Sequence, residues 1–238
     1  MSRLRVAVLG ASGRLGRFAC ELLDRDPDFE VVARASSRDD VSVVLRGARA
    51  EVVFESTAAG LGAAHARLAL EAGARPLVAT SGVTPEEVAD LDAFARSRGL
   101  GGLYAPNLSR GMWLLQRMAE EAARHVSACE IVELHHDRKR DAPSGTAADT
   151  ARRVRAARAA VDPASASRDV PIHSVRLPGL LAHQEVLFGS PGELLTLRHD
   201  ALSAEAYGPG IRAGLRYVAA ASGFRIGIGL AFEAPASP

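Results

Sequence analysis

Leu4-Arg5-Val6-Ala7-Val8-Leu9-Gly10-Ala11-Ser12-Gly13-Arg14-Leu15-Gly16 joins a short apolar run to a glycine turn and to an amphipathic helix reaching about Arg25. A brief apolar run that ends in a turn reads as a buried strand. Gly10 suits a tight bend, Gly13 lets backbone approach a pyrophosphate, and Gly16 lets helix and strand pack closely. The spacing is Gly-x-x-Gly-x-x-Gly, one residue longer at its start than the commonest dinucleotide fingerprint. Strand, glycine turn and helix in this order predict a dinucleotide held by Gly10, Ala11, Ser12, Gly13, Arg14 and Leu15, against the plainer reading of a structural turn.

The pattern repeats outward from that stretch. Glu30 to Ala35 reads as a second strand, and Ser36, Ser37 and Arg38 follow it where NAD-binding chains place an acid. Two hydroxyls and a guanidinium suit a 2′-phosphate better, whereas Asp39 and Asp40 count against one; NADPH is expected to serve at least as well as NADH, against the plainer reading of a solvated loop. Val41 to Leu45 fits a turn of helix or a strand remnant. Strands are expected over Glu51–Ser56, Pro76–Ala79 and Leu103–Ala105, with helices from Leu61 to Ala72 and from Thr84 to about Arg98. This alternation predicts one doubly wound parallel sheet of Rossmann type. Thr80-Ser81-Gly82 ends a strand, where open parallel sheets bind ligands.

The second half has a different texture. Ser109 to His125 reads as an amphipathic helix with Met112, Trp113, Leu115 and Met118 facing a core. A strand from Cys129 to Leu134 leads into Glu133-Leu134-His135-His136-Asp137-Arg138-Lys139-Arg140-Asp141-Ala142-Pro143-Ser144-Gly145-Thr146. A helix follows to about Ala160, whose Arg152, Arg153, Arg155 and Arg158 read as a solvated face because no aromatics interleave. Strands over Ile172–Leu177, Gln184–Phe188 and Leu194–His199 predict a smaller α+β domain with a mixed sheet. A helix from Ala204 to Ala221 and a last strand from Ile226 to Leu230 are expected to return to the first domain. The division is therefore residues 1–107 with 209–238, and 108–208.

The stretch ending at Thr146 carries chemistry. His135 and His136 offer protons near neutral pH, and Lys139 offers a positive charge. Pro143 and Gly145 break the backbone, and Ser144, Gly145 and Thr146 stand where a helix begins, with N–H groups suited to an anion. The set suits a small, doubly negative substrate that is held and protonated. A structural pair of histidines is the alternative. A metal fits poorly, because Lys139 and its arginine neighbours repel cations and no third ligand is evident.

Composition narrows the class. The chain has 238 residues, enough for one large domain or two small ones, and its 29 basic and 28 acidic residues nearly cancel. Nothing in that balance argues for nucleic acid. Cys20 and Cys129 have neither metal-like nor redox spacing and read as buried thiols. No signal peptide and no membrane-spanning run is evident, so a cytoplasmic protein is expected.

Glu133-Leu134-His135-His136-x-x-Lys139-x-Asp141-Ala142-Pro143-Ser144-Gly145-Thr146-Ala147 closely resembles the signature of the 4-hydroxy-tetrahydrodipicolinate reductase family of bacterial diaminopimelate and lysine biosynthesis. The glycine turn, Glu55-Ser56-Thr57, Thr80-Ser81-Gly82, Ala105-Pro106-Asn107, Val175-Arg176-Leu177-Pro178-Gly179, Gly192-Glu193 and His199 fall in the family's order. The resemblance implies that His135 is the general acid and that Lys139 assists protonation and anchors the substrate. It implies that His136, Ser144, Gly145 and Thr146 hold the carboxylates of a small dicarboxylate. It places the nicotinamide cofactor, NADPH or NADH, against the glycine turn, Ala79, Thr80 and Ser81, and Ala105, Pro106, Asn107 and Leu108. It also implies a homotetramer assembled through the sheets of the substrate domain. The chain departs from the family at Glu55-Ser56-Thr57 (commonly Asp-Phe-Thr), Ala79-Thr80-Ser81-Gly82 (commonly Gly-Thr-Thr-Gly) and Ala182-His183-Gln184 (commonly Gly-Glu-His). The segment from Arg38 to Glu51 is short, and a strand near the adenosine is expected to be missing there. A reductase of another small imine, or a cofactor-sensing module without chemistry, would share the layout.

Overall fold

The computed structural model describes residues 2–234, in two compact units. The chain first runs β1 (Leu4–Leu9), α1 (Arg14–Asp24), β2 (Phe29–Ala35), α2 (Val41–Ala48), β3 (Val52–Glu55), α3 (Gly62–Glu71), β4 (Arg75–Val78), α4 (Pro85–Ser97) and β5 (Gly101–Tyr104). It continues with α5 (Arg110–Ala123), β6 (Ala128–His135), α6 (Gly145–Val161), β7 (Ile172–Arg176), β8 (Ala182–Ser190) and β9 (Glu193–Ala201). It ends with α7 (Gly208–Ala220), β10 (Gly223–Ile226) and α8 (Gly229–Glu233). One unit reaches to Leu108 and resumes at Tyr207; the other spans Ser109–Ala206.

The first unit is the doubly wound parallel sheet expected from the sequence, with six strands in the order β10-β5-β4-β3-β1-β2. Val6, Ala7, Val8 and Leu9 are fully buried, as a central strand covered on both faces requires. The winding reverses at β1, which pairs with both β2 and β3, and the glycine turn stands at the end of β1 beside that switch point. Local signals set the helices. Asp40 accepts the N–H groups of Ser42 and Val43, which makes the Val41 segment a helix and fills the short connection from Arg38 to Glu51. Thr84 and Glu87 form a reciprocal capping box, with Pro85 in the first turn.

Two expectations change in this unit. The last strand lies earlier, at Gly223–Ile226, where the Phe224 N–H donates to Asp92 Oδ1 at 2.7 Å. Gly227, at φ +100°, then turns the chain, and Gly229–Glu233 is helical rather than extended.

The second unit is the expected mixed sheet, in the order β7-β6-β8-β9, with β6 parallel to β7 and antiparallel to β8. Met112 and Leu115 of α5 and Val154 of α6 pack with Ile131, Val186 and Phe188 of the sheet. Met118 does not join them and is 51% exposed, because the buried stripe of α5 runs Met112, Leu115, Ala119 and Ala123 and position 118 lies off it. Arg158 departs in the other direction. It continues the α6 stripe of Ala147, Ala151 and Val154 and is only 3% exposed, not solvated. His183 is consumed in the hairpin of β8 and β9, since Nδ1 bonds Asp200 at 2.7 Å and Nε2 accepts the Leu181 N–H. No helix among the described residues is long and apolar enough to cross a membrane.

The glycine turn offers a direct test of close packing. A Cβ on Gly16 would lie 2.1 Å from the Gly10 carbonyl oxygen, whereas one on Gly47 in α2 would meet nothing within 4 Å. Gly16→Ala is expected to destabilise the chain by about 1–3 kcal/mol. Gly47→Ala should be neutral or stabilising by up to about 1 kcal/mol. Urea denaturation of both variants measures the contrast, and equal effects would refute the packing role of Gly16.

Candidate active site

The catalytic candidates cluster at the end of β6. Side chains alternate along a strand, so Glu133 and His135 fall on one face. The Glu133 side chain is completely buried, and His135 Nδ1 donates to its Oε2. The Arg176 guanidinium, at the end of β7 and in register with His135, donates to Glu133 Oε1 at 2.7 Å and to the Asp141 carbonyl at 2.7 Å. The Ser144 N–H also points to Glu133 Oε1, at 3.3 Å. One carboxylate thus gathers the ends of β6 and β7 and the start of α6. The carboxylate makes Nδ1 the protonated nitrogen of a neutral His135, which leaves Nε2 for chemistry.

The remaining predicted residues stand around this cluster. The Lys139 ammonium bonds both oxygens of Asp141, at 2.8 and 2.7 Å, and the Lys139 N–H closes a turn on the half-buried His136's carbonyl. A cis peptide joins Ala142 to Pro143 and brings the chain to Ser144. Ser144 is the N-cap of α6, where its hydroxyl accepts the Ala147 N–H at 3.2 Å. Gly145 opens the helix, and a Cβ there would meet nothing within 4 Å, so its backbone faces open space. Thr146 follows in the same first turn, and its carbonyl accepts from the buried Thr150 hydroxyl.

In the other unit, four predicted segments end parallel strands of one sheet. Gly10 has φ +81°, and a Cβ on it would lie 2.5 Å from the Ser56 carbonyl oxygen. Gly13 is the N-cap of α1 and no side chain caps that end. Ala11, Ser12 and Gly13 form the turn, with Arg14 exposed and Leu15 half-buried at the start of the helix. An uncapped helix N-terminus reached through a glycine turn fits a dinucleotide pyrophosphate. Ala79, Thr80 and Ser81 follow β4, and Ala105, Pro106, Asn107 and Leu108 follow β5; Thr80, Ala105 and Leu108 are buried, whereas Ser81 and Pro106 are exposed and Asn107 is half-buried.

After β2 the geometry differs from the expectation of free hydroxyls. The Ser36 N–H and hydroxyl both donate to Asp39 Oδ2 at 2.7 Å, and the Arg38 N–H caps back on the Ser36 oxygen. Ser37 and Arg38 are exposed, and a carboxylate stands beside them. Ser56 donates its hydroxyl to the Leu9 carbonyl at 3.0 Å and ties β3 to β1.

A family model described as dihydrodipicolinate reductase, N-terminus, matches residues 4–108, and its C-terminus counterpart matches residues 111–227. The chain belongs to the dihydrodipicolinate reductase family. It is 40% identical to 4-hydroxy-tetrahydrodipicolinate reductase of Streptococcus pneumoniae serotype 19F (strain G54), over 90% of this chain and 94% of that one. It is 39% identical to the protein of the same name in Lactococcus lactis subsp. lactis (strain IL1403), over 96% and 97%. A solved structure of dipicolinate-bound dihydrodipicolinate reductase from Paenisporosarcina sp. TG-14 superposes with a TM-score of 0.79 at 28% identity, covering 95% of this chain and 98% of that chain.

In this family member, Glu133 and Arg176 are the site residues that motif reading left without a role. Burial works against the Glu133 charge, yet the Arg176 hydrogen bond, with Ser174 and His135, holds its carboxyl below the usual range. Burial pushes the His135 pKa down, and Lys139 and Arg176 push the same way, while the charge and hydrogen bond of Glu133 raise it. Removing the Glu133 charge must therefore lower it further. In Glu133→Gln the titration of His135, followed by the imidazole proton signals in NMR, should have its midpoint at lower pH than in the wild type. An unchanged or higher midpoint would show that Glu133 does not support the imidazolium.

Proposed function

We propose that the chain reduces 4-hydroxy-tetrahydrodipicolinate to tetrahydrodipicolinate with NADPH or NADH, within diaminopimelate and lysine biosynthesis, the 4-hydroxyl leaving as water. The observation that carries this reading is the buried Glu133 that fixes His135 beside Lys139 and the α6 N-terminus. When bound, the reduced nicotinamide supplies a hydride. Loss of water from the substrate gives an electron-poor conjugated ring, and hydride addition to that ring leaves negative charge, which His135 neutralises by giving up the proton on Nε2. A positioned acid of this kind is worth about 10²–10⁴-fold in rate. After the transfer His135 is the neutral imidazole that its burial already favours.

Lys139 anchors substrate and stabilises the developing charge. Its partner Asp141 is more than half exposed, and an ion pair of that kind contributes little, so a doubly negative ligand competes for the ammonium. His136, Ser144, Gly145 and Thr146 hold the carboxylates through side-chain and backbone donors at the helix start. The cofactor lies along Gly10 to Leu15, Ser36 to Arg38, Ala79 to Ser81 and Ala105 to Leu108. Residues 1–107 with 209–238 serve as the dinucleotide-binding domain, and residues 108–208 as the substrate-binding and tetramerisation domain of a cytoplasmic homotetramer.

Oxidation of NADPH and of NADH by the purified chain, with substrate generated by the preceding synthase, tests the assignment; no oxidation of either would refute it. His135→Gln should cut turnover about 10²–10⁴-fold while fluorescence titration shows NADPH binding unchanged. Wild-type turnover in that variant would remove His135 from the acid role. Lys139→Ala should raise KM for the dicarboxylate and lower kcat together, and steady-state kinetics that leave both unchanged would remove Lys139 from the site.

A further inference from the structure

The first residues of β6 border a cavity that the proposed reaction does not use. It has a volume of ≈ 540 Å³, and Ala128, Glu130, Arg158, Arg168, Pro171 and Leu194 are among its lining residues. His135 ends the same strand, roughly 23 Å away at about 3.3 Å per residue.

The charge around this cavity is unbalanced. Arg158 is 3% exposed, and its Nε and Nη2 are buried without a hydrogen-bond partner. Among the described residues its one hydrogen bond runs from Nη1 to the Arg168 carbonyl at a long 3.5 Å. Arg168 is itself exposed and reaches the Ser127 hydroxyl at 3.4 Å. Among the described residues neither guanidinium has a carboxylate partner. The two acids on the lining are engaged elsewhere, Glu130 with His173 at 2.7 Å and Asp169 with Arg155 at 3.1 Å. Nor does the neighbouring Cys129 supply a counter-charge, since burial pushes its thiol up to about 12. Buried guanidinium groups are ordinarily paired and fully hydrogen-bonded. Leu187, Leu194 and Pro171 give the same cavity an apolar wall.

We propose that this cavity binds a small organic anion, whose carboxylate or phosphoryl oxygens meet Arg158 and Arg168 and whose apolar part lies against Leu187, Leu194 and Pro171. The buried Arg158 nitrogens are reached by displacing the weakly held Arg168 carbonyl. The exposed Arg168 side chain makes the first contact.

Isothermal titration of the full chain with benzoate and with inorganic phosphate tests this, against chloride at equal ionic strength. NADPH and dipicolinate are kept saturating, so that the anion-binding groups of the proposed active centre are occupied. Saturable binding of at least one of the two probes is expected. Lys139→Ala should leave it unchanged, Arg168→Ala should weaken it tenfold or more, and Arg158→Met should abolish it. Because Arg168 is exposed, its variant decides the matter even where Arg158→Met does not fold. Heats indistinguishable from those of chloride, or an affinity that survives Arg168→Ala, would overturn the proposal.

Discussion

A carboxylate without solvent cannot stay charged alone, and Glu133 satisfies that condition with donors from three elements. Arg176 reaches it from β7, the Ser144 amide from the start of α6, and His135 from β6 itself. Removing one partner from a buried charge leaves the others uncompensated and costs on the order of 3–5 kcal/mol. Stability and the placement of His135 are thereby made to depend on the same atoms. The imidazole cannot rotate without losing its acceptor, and the helix cannot shift without withdrawing a donor. The loop between them, from His136 to Pro143, is pinned at its far end by Arg176 on the Asp141 carbonyl.

Several features of this arrangement are legible in the one-dimensional sequence because their causes are local. A glycine turn between strand and helix, a Thr-Pro-Glu-Glu cap and a Ser-Gly-Thr helix start each depend on residues within a few positions. They appear in the structure at those positions. The roles of Glu133 and Arg176 are not local. They stand 43 residues apart and meet only because β6 and β7 pair in register. The same limit applies to Arg158: a run of arginines on one helix looks solvated until the phase of the buried stripe is known. Gly227 misleads in a different way, because an apolar run reads as strand unless the positive φ near its start is anticipated.

Acids placed next to candidate ligand groups also alter what those groups can do. Asp39 accepts the hydrogen bond of the Ser36 hydroxyl, which a phosphate at this place would have to share. Asp200 takes Nδ1 of His183, and Leu181 takes Nε2, which makes that ring part of the hairpin's framework. Residue type alone leaves the partners of both side chains open, and the structure supplies them.

The split of the parallel sheet between two distant parts of the chain has a consequence for the order of assembly. β5 pairs on one side with β4 and on the other with β10, yet the whole of Ser109–Ala206 lies between β5 and β10 along the chain. Until that insert has been synthesised, β5 presents an open edge with unpaired N–H and C=O groups, the surface through which strands of separate molecules join. The insert carries its own sheet and its own core, so it can be complete before the sheet around it is. The residues proposed to protonate the substrate thus belong to a module that can be whole while the parallel sheet still lacks its last strand.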